Sequence, residues 1–248
     1  MTRILILGGT TEAGALACVL AQTGAPAVFS YAGRTRAPAP QPLPTRIGGF
    51  GGVEGLRAYL RAERIGAVVD ATHPFAAGMS TNAVAACAAE RVPLAALERP
   101  PWTPVPGDDW RRVVDMAGAV AALGAAPRRV FLATGRQDLA RFKGLPHAFL
   151  VRLVDPPETP LPLDRVTVEI ARGPFDRAAD RALMARHGIE LVVAKNAGGT
   201  GARAKLDAAH DLRIGVVMID RPAIPPRRVL GTVGETMSWL GHVARLGV

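Results

Sequence analysis

The sequence predicts an α/β fold built from two domains with mainly parallel sheets. Three observations predict it. Short apolar runs typical of strands buried on both faces recur along the 248 residues. Helix-length stretches separate them, and a strand–helix alternation implies parallel strands with helices on both faces of each sheet. The alternation stalls once in the middle and then restarts.

Arg3–Leu7 is the first such run, ended by Gly8-Gly9, and Thr11–Thr23 reads as a helix closed by Gly24. Ala27–Tyr31 is a second strand. Residues 34–46 carry four prolines and three arginines and read as a loop. Val53–Arg64 is an amphipathic helix with Leu56, Tyr59 and Leu60 on one face. Ala67–Asp70 is a buried strand, Pro74–Arg91 a helix with proline in its first turn, and Leu94–Leu97 a strand. Four prolines between Arg99 and Asp109 interrupt the pattern, and a helix near Met116–Leu123 leads to Gly124-Ala-Ala-Pro127, which reads as a linker. Strands then follow at Val130–Ala133, Phe149–Val154, Val166–Ile170, Leu191–Ala194 and Ile214–Ile219. Helices are expected at Asp176–His187, Gly201–His210 and Thr232–Arg245. The expected organisation is two Rossmann-like domains, 1–124 and 125–248, with ligands beyond the carboxyl ends of the strands and a cleft where the domains face each other.

Composition narrows the function. Hydrophobic content of 49% and charged content of 21% suit a globular chain. No apolar run reaches the length of a membrane span. Met1–Ala21 superficially resembles a signal peptide, but Thr10-Thr11 and Glu12 interrupt it. Cys18 and Cys87 form no CxxC pair and no metal-ligand spacing is present, so a reduced, cytoplasmic protein without a metal site is expected. The net charge is +9, and 27 of the 30 cations are arginine. The arginines are scattered, aromatics are only 5%, and no nucleic-acid module is recognisable, so a small polyanionic ligand is the better partner than nucleic acid. A monomer is expected, although no residue fixes the oligomeric state.

Several motifs carry chemistry. In Gly8-Gly-Thr-Thr-Glu-Ala-Gly14, Gly9 and Gly14 occupy the first and last places of the dinucleotide fingerprint G-x-G-x-x-G, and Thr11 stands where its middle glycine belongs. The turn opens a helix whose free N–H groups suit a pyrophosphate, with Thr10 and Thr11 as further hydroxyl donors. Glu12 either belongs to this site or only complements the helix dipole. At the end of the second strand, Ser30-Tyr-Ala-Gly-Arg-Thr35 lacks the acid that holds an NAD ribose. Arg34 and Thr35 instead suit a 2′-phosphate, which favours NADP(H). Asp70-Ala-Thr-His-Pro-Phe75 puts Thr72 and His73 at the ligand edge, where His73 either moves a proton or caps the next helix. Gly48-Gly-Phe-Gly-Gly52 either leaves room for a cofactor or only bends. In the second half, Thr134, Gly135 and Arg136, and then Lys195, Asn196, Gly198 and Gly199, form post-strand turns with a cation, suited to carboxylates or phosphates. Walker, short-chain-dehydrogenase, nucleophile-elbow and zinc signatures are absent from the sequence.

Taken together, Gly8-Gly-Thr-Thr-Glu12, Gly33-Arg-Thr35, Asp70-Ala-Thr-His-Pro-Phe-Ala76, Ala133-Thr-Gly135 and Lys195-Asn-Ala-Gly-Gly199 resemble the precorrin-6A reductases of cobalamin biosynthesis, in family order across nearly the whole chain. The resemblance implies NADPH-dependent reduction of one double bond of a polycarboxylated tetrapyrrole, with hydride going to one ring carbon and a proton to its neighbour. It also implies two Rossmann-like domains, between which a strand can be exchanged. On this reading the cofactor lies along Gly9–Glu12, Arg34, Thr35 and Thr72. Thr134–Arg136 and Lys195–Gly199 hold substrate carboxylates, and His73, Lys195 or water supplies the proton. A non-redox nucleotide- or sugar-phosphate-binding protein and a basic nucleic-acid-binding module are the rival readings.

Overall fold

The computed structural model describes residues 2–33, 38–173 and 175–245. The chain divides into two compact units, Met1–Pro100 with Ala223–Val248, and Pro101–Pro222.

In the first unit, β1 (Arg3–Leu7), β2 (Ala27–Tyr31), β3 (Thr45–Ile47), β4 (Ile65–Asp70), β5 (Leu94–Leu97) and β12 (Arg228–Leu230) form one sheet in the order β12-β5-β4-β1-β2-β3. Every pairing is parallel. The side chains of β1 alternate between two cores. Ile4 and Ile6 meet Leu16 and Leu20 of α1 (Thr11–Gln22) and Leu240 of α7 (Val233–Arg245). Leu5 and Leu7 meet Leu56 and Leu60 of α2 (Gly52–Ala62) and Ala83 of α3 (Ala77–Glu90). Both faces of β1 are thus apolar, which is why it reads as an unbroken hydrophobic run.

The second unit repeats the plan with β6 (Trp110–Val113), β7 (Arg129–Ala133), β8 (Ala148–Leu153), β9 (Val166–Ile170), β10 (Leu191–Lys195) and β11 (Gly215–Ile219), in the order β6-β11-β10-β7-β8-β9. These pairings are also all parallel. Helices α5 (Arg177–Arg186) and α6 (Ala204–Asp211) cover one face through Leu183, Met184 and Leu206. Helix α4 (Met116–Leu123) packs on β6 and β11, and a 3₁₀ segment covers Arg136–Phe142.

Two expectations are corrected here. The division does not fall at 124/125. Gly124 caps α4 at a φ of 72° and belongs to the second unit, as do β6 and α4. Residues 223–245 return to the first unit, where β12 pairs with β5 and α7 packs on α1. The second sheet is therefore built from six consecutive strands, β6 to β11, and only the first takes a strand, β12, from the far end of the chain. The helix expected from Pro74 begins only at Ala77, with Pro74 and Phe75 in the preceding turn.

Candidate functional site

The carboxyl ends of β1, β2, β4 and β5 define one edge of the first sheet. Gly8 sits where β1 leaves the sheet, and its amide donates to the Ser30 carbonyl at 2.9 Å. A Cβ on Gly8 would lie 2.1 Å from the Phe29 ring, so only glycine fits. Gly9 follows with a φ of 131° and open space where a side chain would stand. The amides of Gly9, Thr10 and Thr11 meet no acceptor among the described residues. Three unpaired donors at the start of α1, with room above Gly9, fit a dinucleotide pyrophosphate.

The threonine hydroxyls are not the donors the sequence suggests. Thr10 is the N-cap of α1: its oxygen accepts from the Ala13 amide at 3.1 Å, and its proton goes to the Ala71 carbonyl at 2.9 Å. Thr11 donates to Glu12 at 3.0 Å. Both hydroxyl protons are spent on the scaffold, and the backbone provides the free donors. Glu12 is paired with Arg99 at 2.6 Å. Burial pushes the Glu12 carboxyl up, but its own backbone N–H, Arg99 and the Thr11 hydroxyl together hold it below the usual carboxylate range.

Next to this turn, Asp70 at the end of β4 is buried. Its Oδ1 accepts from the Thr72 hydroxyl at 2.7 Å and the Thr72 amide at 3.2 Å. With its proton committed, the Thr72 oxygen is left as an acceptor, 3.4 Å from the Ser80 hydroxyl. The Asp70 Oδ2 stands 4.0 Å from Nε of Arg227, whose Nη2 donates to Glu98 at 2.5 Å. Thr10, Glu12, Thr72, Pro74, Glu98 and Arg99 line a shallow open depression. His73 accepts the Phe75 amide at Nδ1, 3.2 Å away, which puts the proton of the neutral ring on Nε2. Arg34 and Thr35 lie outside the described residues.

In the second unit, Thr134–Arg136 and Lys195–Gly199 leave adjacent strands, β7 and β10. Thr134 is buried with no partner for its hydroxyl among the described residues. Gly135 has an ordinary extended φ of −75°, and the exposed Arg136 reaches Thr159 at 3.4 Å. Lys195 pairs with Asp138 at 2.7 Å, both side chains largely buried. Asn196 is engaged at both ends of its amide: Oδ1 accepts from the Trp102 amide at 2.7 Å and Nδ2 donates to the Trp102 carbonyl at 2.9 Å. The Trp102 indole donates to the Gly199 carbonyl at 2.7 Å, and Arg221 donates to the Asn196 and Ala197 carbonyls. Gly198 and Gly199 both have positive φ, near 70°, which the turn requires. Asp138, Trp102 and Arg221 escaped the sequence reading because a proline-rich stretch and short turns hide them. The scarcity of lysine was the one signal pointing at this loop.

Thus the structure gathers Thr10, Glu12 and Thr72 around one depression, and Lys195, Asn196 and Gly199 in one tied loop. Among the described residues no helix is long and apolar enough to cross a membrane.

Comparison with known proteins follows the same lines. The family model "Precorrin-6x reductase CbiJ/CobK" matches residues 3–241. The precorrin-6A reductase of Rhodobacter capsulatus is 60% identical over 97% of this chain and 96% of its own. That of Rhodococcus erythropolis is 46% identical over 99% of this chain and 100% of its own. A cobalt-precorrin-6A reductase of Priestia megaterium is more distant, 29% identical over 98% of this chain and 99% of its own. A solved structure titled CobK precorrin-6A reductase superposes with a TM-score of 0.95 at 59% identity, covering 98% of this chain and 97% of that one. With residues 3–241 matched in sequence and both six-stranded sheets in place, this chain belongs to the precorrin-6x reductase CbiJ/CobK family.

Proposed function

We propose that this chain is an NADPH-dependent oxidoreductase that reduces one double bond of precorrin-6A to give precorrin-6B in cobalamin biosynthesis. The observation that carries the cofactor half is the β1–α1 turn, with unpaired amides at Gly9, Thr10 and Thr11 and open space above Gly9. The metal-free substrate is supported by the closer identity to precorrin-6A reductases, 60% and 46%, than to the cobalt-precorrin relative at 29%.

NADPH, when bound, supplies the hydride. The amides of the turn bind its pyrophosphate, Thr72 accepts a hydrogen bond from a hydroxyl or N–H of the nucleotide, and Arg34 with Thr35 take the 2′-phosphate. In the second unit, Arg136 and the turn from Lys195 to Gly199 hold the carboxylate arms of the tetrapyrrole. Asn196 shapes that turn through Trp102 rather than reaching for substrate. The proton comes from solvent. His73 keeps Nδ1 occupied by the Phe75 N–H, so forming its imidazolium would set two donors against each other. Lys195 spends its charge on Asp138. His73 then orients a ligand through Nε2–H. Positioning the two reactants supplies much of the rate.

The test is anaerobic turnover of precorrin-6A with NADPH and with NADH, following nucleotide oxidation and the macrocycle spectrum together. Equimolar NADPH loss with a shifted chromophore, and slower use of NADH, is expected. Folded protein that binds NADPH but leaves precorrin-6A unchanged overturns the substrate assignment.

A further inference from the structure

Arg46 is a half-buried cation held entirely by neutral groups. Its Nη1 donates to the Ser30 hydroxyl at 3.0 Å and the Gly48 carbonyl at 2.8 Å, and its Nη2 donates to the Gly49 carbonyl at 3.1 Å. The guanidinium lies 3.9 Å from the centre of the Phe50 ring and 5.2 Å from that of Tyr59. Other half-buried arginines of this unit pair with carboxylates: Arg57 with Glu90, Arg99 with Glu12, Arg227 with Glu98. Among the described residues Arg46 pairs with none. A guanidinium has five N–H donors, so Nε–H and one Nη2–H remain for an incoming group. A planar donor fork already fixed by three hydrogen bonds and an aromatic face is suited to a phosphate, and its charge is uncompensated until one arrives.

Its place in the fold says which phosphate. Arg46 on β3 is the register partner of Ser30 on β2. In a parallel sheet of this strand order, the end of the second strand meets the adenosine ribose of a dinucleotide. Gly48 follows directly, its amide donating to the Tyr31 carbonyl at 2.9 Å, and a Cβ on Gly33 would lie 3.6 Å from Gly48. At Gly48 and Gly49 there is open space where side chains would stand, so a ligand can approach the fork. This absorbs the second glycine-rich turn of the sequence into the cofactor site.

We propose that Arg46, positioned by Ser30 and the Gly48–Gly49 carbonyls, is a specificity-determining residue that binds the ribose 2′-phosphate and thereby selects NADPH over NADH. The inference rests on the NADPH reading above, and the experiment separates the two. Affinities for NADPH and NADH are measured by nucleotide fluorescence, without substrate, on the wild type, Arg46→Met, Arg46→Lys and Ser30→Ala, with thermal melting as the fold control. Methionine keeps the stem on Phe50 and Tyr59. The wild type should prefer NADPH. Arg46→Met should weaken NADPH binding about 10- to 100-fold and leave NADH within about twofold, as expected for a lost charge-assisted pair. Arg46→Lys should recover part of the loss, since charge remains and the fork does not. Should Arg46→Met fail to fold, Arg46→Lys and Ser30→Ala still report, each lowering NADPH affinity more than NADH affinity. Equal loss for both nucleotides, or no loss, overturns the inference while leaving the NADPH reading intact. A wild type that binds neither nucleotide, or binds NADH as tightly, overturns both.

Discussion

The β1–α1 turn of the first unit and the β10–α6 loop of the second start alike and end differently. Each follows a buried parallel strand and each is rich in glycine. In the first, side-chain hydroxyls are tied back into the scaffold and backbone amides at Gly9, Thr10 and Thr11 stay unpaired among the described residues. In the second, Trp102, Asp138 and Arg221 bind the Asn196 and Lys195 side chains and the loop's carbonyls, while the Gly198 and Gly199 amides meet no acceptor among the described residues. Both turns keep unpaired amides among the described residues, and they differ in how far distant side chains fix the rest of the turn. The first turn is kept open by a steric device, Gly8 under Phe29. The second is held in shape by a hydrogen-bonding device, Asn196 on Trp102.

The largest break in this comparison is expected at Gly8. Its missing Cβ is replaced by the Phe29 ring, and a methyl placed 2.1 Å from a ring carbon forces both β1 and β2 to shift. Gly8→Ala should cost about 3 kcal/mol or more by overpacking, seen as a lower midpoint in denaturant melts, and should reduce nucleotide affinity as the turn moves. A variant as stable as the wild type would show that Phe29 can swing away and that openness does not depend on this contact.

Asn196→Ala is the matching break in the second unit. It leaves the Trp102 N–H and C=O buried without partners, which should cost about 2–4 kcal/mol for the two groups. Nucleotide affinity of the folded fraction should not change. Normal stability with a large rise in the KM for the tetrapyrrole would instead place Asn196 against substrate.

Much of this architecture was readable in the sequence, and the gaps have a common cause. The central strands announce themselves as apolar runs because both faces are buried, as with Ile4–Leu7 and Val192–Ala194. Three of the four edge strands do not. Thr45–Ile47, Trp110–Val113 and Arg228–Leu230 are short, largely exposed and carry arginine, as edges do to discourage further pairing. Missing β6 and β12 is what misplaced the domain boundary, since only sheet pairing shows that the chain crosses at Pro100 and Pro222. Site residues were legible where a motif sits on one turn, as with Gly8–Glu12. Partners remote in sequence were not: Arg99 on Glu12, Arg227 beside Asp70 and Trp102 on Asn196 lie 87, about 157 and 94 residues apart, in or after proline-rich stretches that read only as loop.

The smallest effect expected here concerns acid, and it falls on the second unit. His147, just before β8, is 1% exposed, and neither ring nitrogen finds a hydrogen-bond partner among the described residues. In the first unit His73 and His242 are not buried. Burial pushes the His147 imidazole down from its ordinary value, Arg128 and Arg165 push the same way, and the nearby Gly124 backbone only partly offsets them. Above about pH 6.5 the ring is neutral folded and unfolded, so it contributes no pH dependence. Below that, the unfolded chain takes up a proton that the folded chain refuses, and stability falls with falling pH by at most about 1.4 kcal/mol per unit until the folded ring also protonates. The lowered carboxyls, Glu12 and Glu90 among them, act only nearer their ordinary value of 4.5, so the window between is diagnostic. Urea melts at pH 7.5 and 5.5 should show the wild type losing stability and His147→Leu losing much less. If both lose the same amount, the acid sensitivity lies elsewhere, and the two units differ in how their turns are tied but not in how they meet protons.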